Sequence, residues 1–124
     1  MADDFPKPFI TDEPQTKVAL KGENVTLTCK AASTATSPMS CIWKKDNLVY
    51  KGSQVVTLAR SPDGRTSQMT SQLVLKNITD DDTGRYQCVV SNDFGSTYSS
   101  RAKITVHGKF LRRLEDALLI KNRN

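Results

Sequence analysis

The sequence predicts an all-β sandwich of two antiparallel sheets, and three observations predict it. Short segments alternate apolar and polar residues, as in Val25, Leu27, Cys29 or Tyr86, Cys88, Val90. A strand sends successive side chains to opposite faces, so this period of two marks half-buried strands. Turn formers separate the segments: Lys21-Gly22, Lys45-Asp46-Asn47, Ser61-Pro62-Asp63-Gly64 and Asn92-Asp93-Phe94-Gly95. Finally, Cys29, Trp43 and Cys88 fall on three separate segments of this kind, as the filling of a core between two sheets packed about 10 Å apart requires.

Along the chain, Val18 and Leu20 alternate up to Lys21-Gly22, and Val25, Leu27 and Cys29 then face a core while Asn24, Thr26 and Thr28 face water. Pro14 lies within the first extended segment. Proline cannot donate to a ladder, so it is read as the break where the first strand passes from one sheet to the other. Ser33 to Pro38 is a loop of small residues, followed by a strand through Cys41, Ile42 and Trp43. Leu48 to Tyr50 and Val55 to Leu58 are short strands. Leu73 and Leu75, then Tyr86, Cys88 and Val90, then Ala102, Ile104 and Val106 supply the later inward sets.

A length of 124 residues fits one domain. No apolar run approaches the roughly 18 residues that read as a membrane-spanning helix. Met1-Ala2-Asp3-Asp4 has neither the basic region nor the apolar core of a secretory signal. The cysteines nevertheless argue for an oxidising compartment, so the expectation is a piece of a longer secreted or membrane protein. The net charge of +5 is spread over both signs along most of the chain, which reads as an ordinary solvated surface.

The run Asp82-Thr83-Gly84-Arg85-Tyr86-Gln87-Cys88 fits an Asp-x-Gly-x-Tyr-x-Cys pattern, and with Cys29 and Trp43 it resembles an immunoglobulin core. Residues from about Pro6 to Val106 resemble an I-set domain: the proline-broken first strand, Lys21-Gly22-Glu23 before Val25-x-Leu27-x-Cys29, Trp43-Lys44-Lys45-Asp46, and the late Asn92 to Gly95 hairpin. That resemblance implies a Greek-key sandwich of about 100 residues with a disulfide between central strands, here Cys29 to Cys88, and with Trp43 beside the sulfurs. Tyr86 takes the place of the tyrosine corner, its hydroxyl bonding to upstream backbone. Gly84 is expected to give a tight turn its freedom, and Asp82 to accept hydrogen bonds there. Cys41 is left as the odd thiol, two residues before Trp43 and on the same inner face. It is expected as a buried small hydrophobe, with intermolecular pairing, redox sensing or competition for the disulfide as alternatives. The boundaries read as an extension over 1–5, the domain over 6–107 and a tail over 108–124.

A narrower likeness runs through Ser37-Pro38-Met39-Ser40 into Trp43-Lys44-Lys45-Asp46-Asn47, Gly84-Arg85-Tyr86-Gln87-Cys88, and Asn92-Asp93-Phe94-Gly95-Ser96-Thr97-Tyr98-Ser99. These resemble the first immunoglobulin domain of the leucine-rich-repeat and immunoglobulin-like transmembrane proteins. Cys41 departs from the pattern, where a member of that family carries an aromatic residue. The resemblance implies a non-catalytic extracellular module of a cell-surface regulator of receptor signalling. Its partner would be a protein, a growth-factor receptor or another ectodomain, and membrane contact would come only through the parent protein. An intracellular I-set spacer of the giant muscle-protein kind, and a homophilic adhesion module, are the alternatives.

Asn24-Val25-Thr26 and Asn77-Ile78-Thr79 are glycosylation sequons, both expected to be exposed. Catalysis fails on inventory, because the one histidine, His107, ends the last strand where exposure is expected. No cofactor or small-molecule substrate is expected. A metal site is not expected either: no Cys-x-x-Cys spacing exists, and Asp80-Asp81-Asp82 lacks the alternation of a calcium loop. Nucleic-acid binding is not expected, since the aromatic residues do not interleave with basic ones. From Lys109 onward, Phe110, Leu111, Leu114, Ala117, Leu118 and Ile120 recur at helical spacing. This tail is read as an amphipathic helix that docks on the sandwich or a partner, lies on a membrane surface, or is foreign to the domain. For a partner face, strand parity selects the outward residues of the Trp43 and Cys88 sheet: Ile42, Lys44, Arg85, Gln87, Val89 and Lys103.

Overall fold

The computed structural model describes residues 6–108; the extension over 1–5 and the helical tail expected from Lys109 lie outside the described residues. Ten strands form: β1 Phe9–Asp12, β2 Lys17–Leu20, β3 Val25–Ser33, β4 Ser40–Lys45, β5 Leu48–Tyr50, β6 Ser53–Arg60, β7 Ser67–Leu75, β8 Gly84–Asn92, β9 Gly95–Tyr98 and β10 Ala102–His107. They build a four-stranded sheet in the order β1-β3-β7-β6 and a facing sheet in the order β2-β10-β8-β4-β5, with β9 also pairing β8. All pairings are antiparallel except β2 with β10.

Pro14 does what its chemistry suggests. It is buried between β1, which pairs β3, and β2, which pairs β10, so the chain changes sheets where a ladder donor is missing. Val18 is 66% exposed, while Ala19 packs against the core. The last edge is interrupted at Ser99, which replaces regular pairing with two bonds to Cys88: its N–H donates to the Cys88 carbonyl at 2.9 Å, and its hydroxyl accepts from the Cys88 N–H at 2.9 Å.

The inward sets read from the alternation meet between the sheets. Leu27, Cys29, Leu73, Tyr86, Cys88, Val90, Ala102 and Ile104 are buried together with Trp43. Trp43 also carries the polar seam of the core. Its indole N–H donates to Ser71 Oγ at 2.9 Å, Ser71 donates to Gln54 Oε1 at 2.8 Å, and Gln54 Nε2 donates to the Cys41 carbonyl at 3.0 Å. Each polar group of this seam finds a partner, as burial requires.

The disulfide differs from the expected Cys29–Cys88 pairing. Cys41 is bridged to Cys88, and Cys29 is the buried free thiol. The reason is positional. Trp43 is the Cα partner of Cys88 across β4 and β8, so Cys41, two residues earlier, is a diagonal neighbour on the same inner face. The two Cα atoms are 6.5 Å apart, within disulfide reach. Cys29 shares this core from the opposite sheet. Burial first, then the charges of Glu13 and Asp12, pushes its thiol up to about 12, so it stays protonated and inert at neutral pH.

The Tyr86 corner forms as expected, its hydroxyl donating to the Asp82 carbonyl at 2.6 Å. Burial, then Tyr50 and Asp82, raises the Tyr86 pKa well above the usual phenol range. Asp82 closes a capping box on the short 3-10 helix Asp80–Asp82: it accepts from the Thr79 N–H at 2.7 Å, and Thr79 Oγ1 accepts from the Asp81 N–H. Gly84 is needed for a different reason from the one expected. It lies in β8 with no left-handed backbone, and a Cβ there would fall 2.8 Å from Asp46 Oδ2. A side chain here would have to displace the Asp46 carboxylate and the end of the Lys45 side chain, so the close approach of the β4–β5 turn, not a tight turn of its own, favours glycine.

Candidate functional site

The outer face of the β2-β10-β8-β4-β5 sheet collects the residues that parity selected. Cross-strand register sets them in rows. Ile42 stands opposite Val89, which stands opposite Tyr98, so three apolar side chains run across β4, β8 and β9. The neighbouring row places Val49, Lys44 and Gln87 side by side. Arg85 faces Lys103 across β8 and β10.

Ile42 is 45% exposed, Val49 57% and Tyr98 55%. Val89, expected as a contact residue, is only 5% exposed. It lies on the right face, but flanking Ile42 and Tyr98 cover it, so it supports the row and offers little surface. Tyr98, Val49 and Arg101 were missed by parity. Their places depend on which strand pairs beside β4 and β8, and alternation within one strand does not reveal that.

The polar part of the face is organised. Lys44 Nζ lies 5.4 Å from the Tyr98 ring centroid, a cation–π contact. Gln87 Nε2 donates to the Ser99 carbonyl at 2.7 Å, and Arg101 donates to Asn47 Oδ1 at 2.8 Å. Asp46 Oδ1 accepts from the Arg85 N–H at 3.0 Å. Asp46, Asn47, Arg85, Gln87 and Arg101 line a cavity of about 200 Å³. Among the described residues the ion pairs are Lys21–Asp80 and Lys30–Asp12, both away from this face. Among the described residues neither ion pair engages Lys44, Arg85, Arg101 or Lys103.

Asn24 and Asn77 are both exposed, and they adjoin: Asn24 Oδ1 accepts from the Asn77 N–H at 2.9 Å. They flank β3 and β7 of the other sheet. His107 ends β10 and is exposed. Among the described residues no group of His, Cys, Asp or Glu could hold a metal ion, and no helix is long and apolar enough to cross a membrane.

Comparison with known proteins agrees with this architecture. The chain is 45% identical over 109 residues, 86% of its length, to leucine-rich repeats and immunoglobulin-like domains protein 3 of Mus musculus, and 42% identical over 109 residues to protein 1 of that series from Homo sapiens. It spans about a tenth of the length of these relatives. It is 37% identical over 122 residues to the netrin receptor DCC of Mus musculus, 88% of this chain and 8% of that protein. Among solved structures, the tandem Ig repeats of Dlar superpose with a TM-score of 0.62 at 28% identity, covering 85% of this chain and 50% of that one. The immunoglobulin domain model itself matches residues 7–92. The chain belongs to the immunoglobulin domain family, and it is a non-catalytic module of the binding and recognition kind rather than an enzyme.

Proposed function

We propose that the chain is an extracellular protein-recognition module of a cell-surface regulator of receptor signalling, and that it binds through the outer face of the β2-β10-β8-β4-β5 sheet. The observation that carries this reading is the Ile42–Val89–Tyr98 row framed by Lys44, Arg85, Arg101 and Lys103. Exposed Ile42 and Tyr98, supported by buried Val89 and framed by cations, match the anatomy of a protein interface. Similarity to the leucine-rich repeats and immunoglobulin-like domains proteins and to a netrin receptor supports the surface setting. Glycans on Asn24 and Asn77 would sit beside the other sheet and leave this face clear.

The partner is a protein with an apolar patch beside acidic side chains, such as a growth-factor receptor ectodomain. Contact is by surface complementarity, with Tyr98 and Ile42 as anchors and the cations setting orientation and association rate. Surface plasmon resonance against a panel of growth-factor receptor ectodomains tests it. Binding to at least one receptor, lost by about tenfold or more in Ile42→Asp/Tyr98→Glu, is the expected result. No binding across the panel, or binding indifferent to that variant, would overturn the proposal. Val89→Asp is unsuitable, because Val89 is buried.

A further inference from the structure

The far edge of the other sheet is unusual for its composition. β6 terminates the β1-β3-β7-β6 sheet, pairs β7 in unbroken register from Ser53 to Arg60, and is exposed at all eight residues. Residues 53–59 contain no charge, proline or glycine. Edge strands normally carry a lysine, a proline or a bulge to prevent pairing with another chain, and β6 has none of these before Arg60.

The inward parity of this strand is incompletely covered. Gln54, Val56 and Leu58 stand opposite Leu73, Ser71 and Met69, all three buried. Gln54 confirms the direction by bonding Ser71 and the Cys41 carbonyl. Yet Val56 is 40% exposed and Leu58 53%, where the facing sheet ends in the three-residue β5. Leu58 also lines an open cavity of about 250 Å³ with Pro38 and Met39. On the outer side Val55 is 55% exposed.

We propose that β6 is a self-docking edge, on which a second copy of this chain adds its own β6 in antiparallel fashion across a two-fold axis. Such an isologous pairing satisfies both edges identically and closes on itself. Keeping inward residues on the same side requires the axis to pass through a residue pair. Centred on Val56, the pairing would put Lys51 opposite Ser61 of the second copy, beside its Arg60, so like charges would crowd at both ends. Centred on Thr57, it puts Val56 opposite Leu58 of the second copy and Gln54 opposite its Arg60, and it brings Lys51 to the Ser61–Thr66 turn that holds its Asp63 beside Arg60 and Arg65. The apolar match of Val56 with Leu58, together with the Lys51–Asp63 pair, selects the Thr57 register. The Ser61 hydroxyl and the Arg65 N–H both donate to Asp63, lowering its pKa and keeping it anionic. This edge is separate from the proposed receptor face.

Sedimentation velocity of the 124-residue chain over ~5 to ~500 μM tests it. The expected result is a concentration-dependent monomer–dimer equilibrium that Val56→Lys weakens by about tenfold or more, with an unchanged melting curve. Register is read by charge exchange: Lys51→Glu and Asp63→Lys each weaken the dimer, and the double variant restores it. A chain monomeric at every concentration overturns the proposal, as does a dimer indifferent to Val56→Lys. A double exchange that fails to restore association overturns the Thr57 register.

Discussion

Disulfide pairing is the prediction on which the structure and the sequence disagree, and the perturbation that decides it is digestion without reduction. Trypsin cuts after lysine and arginine, which places Cys29 in peptide 22–30, Cys41 in 31–44 and Cys88 in 86–101. Alkylation under denaturing, non-reducing conditions is expected to leave 31–44 joined to 86–101, with 22–30 carrying the alkyl group. Loop entropy does not favour one pairing over the other. The Cys41–Cys88 bridge closes a sequence separation of 47 residues, worth about 4 kcal/mol in the chain-entropy model, and a Cys29 bridge to the same partner would close a loop only slightly longer and worth about the same. Cys41 and Cys88 are diagonal neighbours in one sheet, with Cα atoms 6.5 Å apart. In energetic terms, Cys29→Ala should cost only about 1 kcal/mol, the loss of a small buried group. Cys29→Ala/Cys41→Ala should cost about 4 kcal/mol more under oxidising conditions. That is a large share of a typical domain's stability, read as a fall in urea midpoint on the order of 2 M. The extra loss should vanish in reductant. Recovery of 22–30 joined to 86–101 from the unmodified chain would refute the reasoning.

Stability should fall as pH rises above the ordinary thiol value of 9.0. The buried Cys29 keeps its proton up to about 12 when folded, whereas the unfolded thiol releases it, so the folded state binds more protons. At a pH one unit above that value the cost is about 1.4 kcal/mol. Urea midpoints against pH should show a decline that is shallower in Cys29→Ala; Tyr50 and Tyr86, also raised by burial, account for the remainder. Ser71→Ala leaves the buried Trp43 indole N–H without its acceptor, an expected loss of about 1–3 kcal/mol, followed by tryptophan fluorescence during denaturation. Tyr86→Phe removes the bond to the Asp82 carbonyl and should lower stability by about 1 kcal/mol in the same assay.

Much of the architecture was legible in the residues alone. Period-two alternation from Val25 to Cys29 and from Tyr86 to Val90 identifies core-facing side chains because a pleated strand permits no other arrangement. Pro14 marks the change of sheet because it lacks an N–H. The Tyr86 corner was legible through the Asp-x-Gly-x-Tyr-x-Cys pattern shared with immunoglobulin domains, and the structure adds that the Asp82 carbonyl is its acceptor. What alternation leaves open is which strands lie beside one another, and that is a tertiary decision. Three cysteines share inward parity and the resemblance assigned Cys29 to Cys88, while the β4–β8 register makes Cys41 and Cys88 diagonal neighbours. Likewise, Val89 has outward parity, yet Ile42 and Tyr98 on adjacent strands close over it. Gly84 was legible as a favoured glycine, but the cause lies in the side chain of Asp46, 38 residues away and brought close only by the fold. Parity is a property of one strand, so the sequence determines it; neighbourhood belongs to two strands at once, and only packing decides it.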